Sequence, residues 1–176
     1  MLMTDTVTPN PMNPRYAIRR KQTTFGATYR FAGQVSRSAP RAEWPELVEK
    51  ALAHARKRSG SDAFNVVHVN WYPNGEAGLD PHADDERDMV PDHDIYSYTF
   101  LSEPVPQKAR GFQIYRYEDL KKPVAEYKLE HGDLLIMRSG MQQRYKHGVK
   151  KTAAKNFKDL RRVNMTVRAW KPEKLQ

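Results

Sequence analysis

The sequence has no cysteine among its 176 residues. This absence excludes disulfide bonds, thiolate metal sites and cysteine nucleophiles, and it is compatible with a reducing compartment. A metal ion would therefore have to use histidine and carboxylate ligands. The sequence also lacks an apolar run long enough to span a bilayer, and its first residues lack the basic and apolar regions of a signal peptide. We expect a soluble, intracellular protein with no membrane partner.

Acidic residues are fewer than basic residues: the sequence contains 21 Asp and Glu and 30 Lys and Arg. The formal net charge is +9 and the pI is about 9.7, which favours a polyanionic partner through the release of counterions. The charge is distributed unevenly. Residues 144–162 contain eight basic residues and one acid, residues 15–21 form a second basic cluster, and the acids concentrate in residues 80–94.

The length suits a single domain with one substantial core. Residues 1–14 contain three prolines and little apolar content, so we expect a disordered lead-in there and a single domain over residues 15–176. Apolar residues at helical spacing predict a helix over residues 41–58. Short stretches separated by turns predict strands over residues 64–72, 95–101, 111–117, 124–129 and 162–168, and a short apolar run predicts a buried strand over residues 134–137. One helix followed by many strands indicates a mainly β fold, either a two-sheet sandwich or a jelly roll with a supporting helix.

The pair His82 and Asp84 follows the strand predicted at residues 64–72, after the turn Pro73-Asn74-Gly75. In an extended chain these two side chains project from the same face, so an imidazole and a carboxylate can reach one metal ion. Taken alone, the pair is also compatible with an ordinary loop. A second histidine from elsewhere in the chain would complete a triad of two histidines and one carboxylate.

The last predicted strand has one face that is entirely polar, consisting of Arg162, Asn164, Thr166 and Arg168. A solvent-facing edge strand would explain this pattern. Asn70 and Tyr72 also share a face, however, so the two strands together favour the lining of a polar pocket. At ~3.3 Å per residue the two arginines lie roughly 20 Å apart along the strand, and long side chains leaning inward could hold opposite ends of a small dianion.

These pieces, in this order, resemble the AlkB family of iron(II)- and 2-oxoglutarate-dependent dioxygenases. The resemblance covers about residues 15–171. It is closest to the eukaryotic-type DNA demethylases of the family, because residues 20–26 and 28–33 also have counterparts there. The motifs that carry it are residues 70–72, 82–86, 131–137, 147 and 162–168. The fold that it implies is the double-stranded β-helix, or jelly roll, of the 2-oxoglutarate oxygenases.

The resemblance implies roles for individual residues at the metal and cosubstrate sites. His82, Asp84 and His147 would bind iron(II), with His131 as the rival for the third ligand. These three ligands and Arg168 form the implied catalytic set.

For 2-oxoglutarate, the resemblance implies that Arg162 pairs with the distal carboxylate, with Tyr72 and Asn164 beside it. Arg168 and Asn70 would lie toward the iron-bound end. The remaining positions for ligands on the iron would be taken by 2-oxoglutarate and dioxygen.

The resemblance also suggests substrate-binding residues. Tyr29 and Phe31, which would otherwise be read as a pair of core aromatics, match positions that line the pocket for a flipped base. Asp85 or Glu86 matches an acidic position near the exocyclic amine and would favour a cationic methylated base. Arg110 matches an arginine that contacts the nucleic-acid backbone.

The activity implied is oxidative demethylation of bases such as 1-methyladenine and 3-methylcytosine in DNA or RNA, with release of formaldehyde, succinate and carbon dioxide. One alternative is a 2-oxoglutarate-dependent hydroxylase of a nucleobase ring methyl group or a protein side chain. Another is a nucleic-acid binding module whose metal site is lost or structural, but the intact set of ligands and arginines argues against it. We expect a monomer that prefers single-stranded nucleic acid, because the segment before residue 20 would lack a strand to brace a base-flipping wedge.

Overall fold

The computed structural model describes residues 8–10, 13–18, 20–31, 34–36, 38–84, 87–104, 106–152 and 160–172. Within these ranges the chain forms two α-helices, α1 (Glu46–Ser59) and α2 (Met141–Arg144). In chain order the strands are β1 (Thr8–Asn10), β2 (Asn13–Ile18), β3 (Lys21–Phe25), β4 (Tyr29–Phe31), β5 (Gln34–Ser36), β6 (Phe64–Tyr72), β7 (Leu79–His82), β8 (Ile95–Leu101), β9 (Arg110–Arg116), β10 (Ala125–Leu129), β11 (Leu134–Met137), β12 (Tyr145–Val149) and β13 (Arg162–Ala169).

The predicted helix over residues 41–58 is divided in two. A short 3-10 turn covers Arg41–Glu43, and α1 begins only after Pro45. The interruption arises because a proline disfavours helical geometry in the residue before it, and Trp44 is accordingly extended (φ −69°, ψ 133°). Gly60 ends α1 in the left-handed conformation (φ 69°). In the described part of the chain, no helix is both long and apolar enough to cross a membrane.

The larger sheet has five antiparallel strands in the order β11-β8-β13-β6-β3. One face of this sheet is apolar and packs against the buried side of α1, which includes Val48 and Leu52. Strand β13 lies in the middle of the sheet, paired with β6 on one side and β8 on the other. The interpretation of β13 as a solvent-facing edge strand is therefore wrong, because both of its edges are hydrogen-bonded and its polar face is buried.

The smaller sheet has four antiparallel strands in the order β10-β9-β12-β7. A second apolar cluster joins the two sheets, since it contains Tyr72 and Met137 from the larger sheet together with Phe112 and Val149 from the smaller one. Two antiparallel sheets that share a core between their inner faces form a sandwich of the jelly-roll type. The predicted fold class is confirmed, and the polar face of β13 lies on the inner side.

Part of the segment that we expected to be disordered is ordered. Strand β1 pairs with β2 antiparallel, from Thr8 opposite Ile18 to Asn10 opposite Asn13. The prediction of disorder over residues 1–14 is wrong for these described residues, because backbone pairing needs no apolar content and proline is compatible with edge strands. The expectation that no strand braces the segment before residue 20 is wrong for the same reason.

The packing of α1 predicts a large difference between two leucines of the same helix. Leu52 is 1% exposed against the larger sheet, whereas Leu47 is 43% exposed. Leu52→Ala should lower the free energy of unfolding by about 2–5 kcal/mol, because it leaves a cavity. Leu47→Ala, the matched control, should change it by no more than about 0.5 kcal/mol. Urea denaturation measures both, and equal losses would contradict the packing described.

Candidate metal and cosubstrate site

Three side chains converge at the inner face of the smaller sheet. His82 ends β7, Asp84 follows it, and His147 lies on β12 directly opposite His82 in the strand register. The Nε2 atom of His82 is 3.4 Å from Oδ1 of Asp84, and the Nε2 atom of His147 is 3.7 Å from Oδ2. One ligand atom from each residue lies within 4.8 Å of the others, so the group can hold one metal ion.

The ring orientations suit metal binding. His82 Nδ1 donates to the Asp80 carbonyl oxygen at 3.1 Å, which leaves the Nε2 lone pair facing the other two residues. The His147 ring stacks on Phe112, with the centroids 5.2 Å apart and the planes 19° apart. The side chain of Gln142 accepts a hydrogen bond from the Asp84 amide nitrogen at 3.0 Å. Sequence analysis did not identify Phe112 or Gln142 as supporting residues.

Asp84 forms a buried ion pair with Arg168, whose Nη2 lies 2.9 Å from Oδ1. Burial by itself would raise the pKa of Asp84, but Arg168 and the two histidines outweigh it and hold this pKa well below its ordinary value. Burial also lowers the pKa of His147 to about 4. A carboxylate and a neutral imidazole are therefore present at neutral pH, and these are the protonation states that bind metals.

A second cationic group lies at the other end of β13. The side chain of Arg162 is buried over the ring of Tyr72, at 5.0 Å from its centroid, and Nη2 donates to Thr99 Oγ1 at 3.0 Å. Burial is the main cause that lowers the pKa of Arg162, and Tyr72 opposes it. Among the described residues, Nε and Nη1 of Arg162 and the Tyr72 hydroxyl have no hydrogen-bond partner. Unpaired buried donors are costly, and an anionic ligand such as a carboxylate could accept hydrogen bonds from this group.

Two asparagines share this inner face. Asn164 donates from Nδ2 to Ser97 Oγ and to the Tyr98 carbonyl oxygen, both at 2.8 Å. Asn70 accepts a short hydrogen bond from Arg20. Asn164 lies opposite Asn70 and Arg162 lies opposite Tyr72 in the strand register, so these buried residues share the inner face of the larger sheet with Arg168.

The prediction that Arg110 contacts a nucleic-acid backbone is wrong. Its side chain is 1% exposed, and the guanidinium donates to backbone carbonyl oxygens of residues 74, 75, 77 and 150 at 2.6–3.4 Å. Burial, and then the neighbouring Arg162, lower the pKa of Arg110 to about 10, so it stays charged at neutral pH. A guanidinium enclosed by carbonyls holds loops together and cannot reach a phosphate in solvent.

The other substrate predictions stay predictions. Tyr29 and Phe31 form the ends of β4, and their side chains lie outside the described part of the structure. Asp85 and Glu86 both fall outside the described residues. They directly follow Asp84 in the chain.

The remaining histidines are not part of the metal-binding group. His131 Nδ1 lies 3.1 Å from the Leu101 amide nitrogen and 2.9 Å from its carbonyl oxygen, so it is engaged at the end of β8. His68 is buried with Nδ1 2.9 Å from Thr24 Oγ1, and His54 contacts the Tyr98 hydroxyl at 2.8 Å. His147 is accordingly the third member of the group, as predicted, and its choice over His131 is supported by the strand register.

Comparisons with known proteins agree with this geometry. Residues 3–168 match the family model described as the 2OG-Fe(II) oxygenase superfamily. The DNA oxidative demethylase ALKBH2 of Mus musculus is 31% identical over 172 residues, which cover 90% of this chain and 65% of that protein. The DNA oxidative demethylase ALKBH2 of Homo sapiens is 31% identical over 166 residues, which cover 87% of this chain and 57% of that protein. The chain thus spans less than two thirds of the length of these relatives.

Among solved structures, a Pseudomonas putida prolyl-4-hydroxylase superposes with a TM-score of 0.46 at 17% identity, covering 76% of this chain and 69% of that one. This likeness is too distant to add to the match with the family model.

The geometry of the three ligands predicts how metal binding responds to substitution. His82→Ala, Asp84→Asn and His147→Ala should each abolish the binding of Mn(II), measured by titration calorimetry on protein whose fold is checked by circular dichroism. Each removes one of three ligands from a small site. The control His54→Ala should bind as the wild type does. Binding retained in His147→Ala but lost in His131→Ala would show that the third ligand is misassigned.

Proposed function

Since this chain belongs to the 2OG-Fe(II) oxygenase superfamily as an AlkB-like member, we propose that it removes methyl groups oxidatively from N-alkylated bases in DNA. Enzymes of this superfamily are dioxygenases that use iron(II), 2-oxoglutarate and dioxygen. The observation that carries the proposal is the convergence of His82, Asp84 and His147 beside a buried arginine on the inner face of the sandwich. The names of the relatives and the net charge of +9 support a nucleic-acid substrate.

Iron(II) and 2-oxoglutarate, when bound, supply the oxidation: one oxygen atom of O2 enters succinate as carbon dioxide leaves, and the other hydroxylates the methyl group, which departs as formaldehyde. His82, Asp84 and His147 would hold the metal. Arg168 keeps Asp84 ionised, so that the carboxylate is a ligand at neutral pH. In this proposal the protein's own work is binding, orientation and control of protonation.

Arg162 would hold the distal carboxylate of 2-oxoglutarate. Its Nε and Nη1 atoms are buried without partners among the described residues, and the Tyr72 hydroxyl beside it is in the same condition. Buried donors of this kind could pair with a carboxylate. Because Arg168 is engaged with Asp84 near the metal ligands, the two ends of β13 would serve the two ends of the cosubstrate.

The residues proposed for base recognition lie on β4 and directly after Asp84 in the chain. We keep Tyr29 and Phe31 as stacking partners for the flipped base, with His82 on the other side. Asp85 or Glu86 would lie near the exocyclic amine, where a negative charge favours a base made cationic by methylation. Bases of the 1-methyladenine and 3-methylcytosine type fit this description.

The test is a panel of methylated oligonucleotides. The protein is loaded with iron(II) and 2-oxoglutarate without oxygen, and air is then admitted. We expect mass spectrometry to show loss of the methyl group from 1-methyladenine or 3-methylcytosine, with formaldehyde and succinate formed in equal amounts. His82→Ala is the inactive control. Turnover of 2-oxoglutarate with no change in any DNA or RNA oligonucleotide would instead point to hydroxylation of a ring methyl group or a protein side chain.

The same panel tests strand preference. We propose that single-stranded substrates react faster than duplexes, since extruding a base from a duplex costs a few kcal/mol. The pairing of β1 with β2 gives the protein a braced hairpin before the main sheet, so duplex should still be used. Deleting residues 1–12 should then slow the duplex reaction and leave the single-stranded reaction unchanged. A duplex rate that equals or exceeds the single-stranded rate would refute the preference.

Arg162→Ala should raise the 2-oxoglutarate concentration needed for half-maximal turnover about ten- to a hundredfold. A charge-assisted hydrogen bond to a carboxylate contributes roughly 1.5–3 kcal/mol, which corresponds to that factor. Arg161→Ala is the matched control, because this neighbouring arginine is exposed. Thermal unfolding of both variants checks that the fold survives. If the two variants need the same 2-oxoglutarate concentration for half-maximal turnover, the cosubstrate binds elsewhere.

A further inference from the structure

Gln142 connects the two segments that carry the candidate metal ligands. It lies on α2, the single helical turn that leads directly into β12 and therefore to His147. Its Oε1 accepts a hydrogen bond from the amide nitrogen of Asp84 at 3.0 Å, although the two residues are 58 positions apart in the sequence. Its Nε2 donates to Met137 Sδ at 3.5 Å. Both the oxygen and the nitrogen of the Gln142 side-chain amide are thus hydrogen-bonded.

Asp84 depends on such a contact because it lies beyond the end of the strand ladder. Strand β7 ends at His82, so the Asp84 backbone is not fixed by pairing with β12. Its carboxylate is also attracted to Arg168, which lies 2.9 Å from Oδ1. A mobile Asp84 could turn toward the arginine and away from the histidines. The hydrogen bond from its amide to Gln142 opposes that movement by fixing the backbone from which the carboxylate projects.

We propose that Gln142 is a positioning residue for the metal site. It fixes Asp84 relative to β12, so that Asp84 and His147 can bind the same ion. This inference rests on the proposed function, because it takes the three residues to be the iron ligands. Gln142 itself touches neither the metal ligands' side chains nor the cosubstrate arginine in the described contacts, so it acts through the Asp84 backbone. Substituting a group that orients a metal ligand in this way commonly lowers metal affinity ten- to a hundredfold.

The position of Gln142 is in turn fixed from the outer side of the sheet. The Tyr117 hydroxyl donates to the Gln142 carbonyl oxygen at 2.8 Å, and the Lys146 ammonium lies 5.3 Å from the centre of the Tyr117 ring. These contacts tie α2 to the end of β9. Tyr117→Phe removes only the hydroxyl, and it therefore tests the same connection without changing any residue beside Asp84.

The experiment measures Mn(II) affinity by titration calorimetry, together with the exchange rate of the Asp84 amide in metal-free protein. Gln142→Leu should weaken binding roughly tenfold and speed the exchange. Gln143→Leu makes the same substitution at the exposed neighbour and should leave both unchanged. Gln142→Glu should restore binding, because a carboxylate oxygen can accept the same hydrogen bond. Tyr117→Phe should weaken binding less, with no further loss when it is combined with Gln142→Leu.

The outcomes separate this inference from the proposed function. Wild-type protein that binds no Mn(II) would overturn the proposed metal site and the inference with it. Tight binding by the wild type and equally tight binding by Gln142→Leu would overturn the positioning role alone. If Gln142→Leu does not fold, the other two variants decide: unchanged affinity in Tyr117→Phe or weakened affinity in Gln142→Glu would overturn the role.

Discussion

The buried ion pair between Asp84 and Arg168 is the interaction on which the inner face depends. Removing two charges from water is expensive, and the attraction between them repays that cost only when the geometry is good. Four arginines are buried in the described part of the chain, namely Arg20, Arg110, Arg162 and Arg168, whereas Asp84 is the one buried carboxylate there. The interior therefore carries a surplus of positive charge, which suits a dianionic ligand. Arg110 donates to backbone carbonyl oxygens from its terminal nitrogens, whereas Arg162 has both Nε and Nη1 without a hydrogen-bond partner among the described residues.

Much of the framework follows from local patterns in the sequence. Alternation and β-branched residues predicted β6, and short runs bounded by turn residues predicted β8 and the apolar strand β11, all with the bounds that the structure has. The helix was predicted to begin too early, because amphipathic spacing continues through Pro45 although the backbone cannot. The polar face of β13 was recognised, but alternation alone cannot distinguish a buried polar face from a solvated one. That distinction needs the neighbours of the strand, which are β6 and β8.

Long-range contacts account for what the sequence could not show. His131 and His147 each lie near a plausible strand, and the pairing of β12 with β7 is what brings His147 opposite His82. Gln142 gives no sequence signal, because its partner Asp84 is far away in the chain. Arg110 was misassigned because its role was carried over from the family resemblance, whereas its carbonyl partners, which come from two separate loops, could not be seen in the sequence. The antiparallel pair β1–β2 was missed because backbone hydrogen bonds, and not apolar side chains, define it.

Alternate residues of β13 contribute to the apolar core and to the candidate cosubstrate site. Met165 and Val167 pack under α1 on one face, while Arg162 and Arg168 face the inner side of the sandwich. A single-residue insertion or deletion within the strand would exchange these faces, since the side-chain repeat is two residues. Arginines would then be forced under the helix and the valine and methionine side chains into the pocket. Substitutions within β13 should consequently be tolerated more readily than changes in its length. Insertions and deletions between related sequences should therefore fall outside this strand.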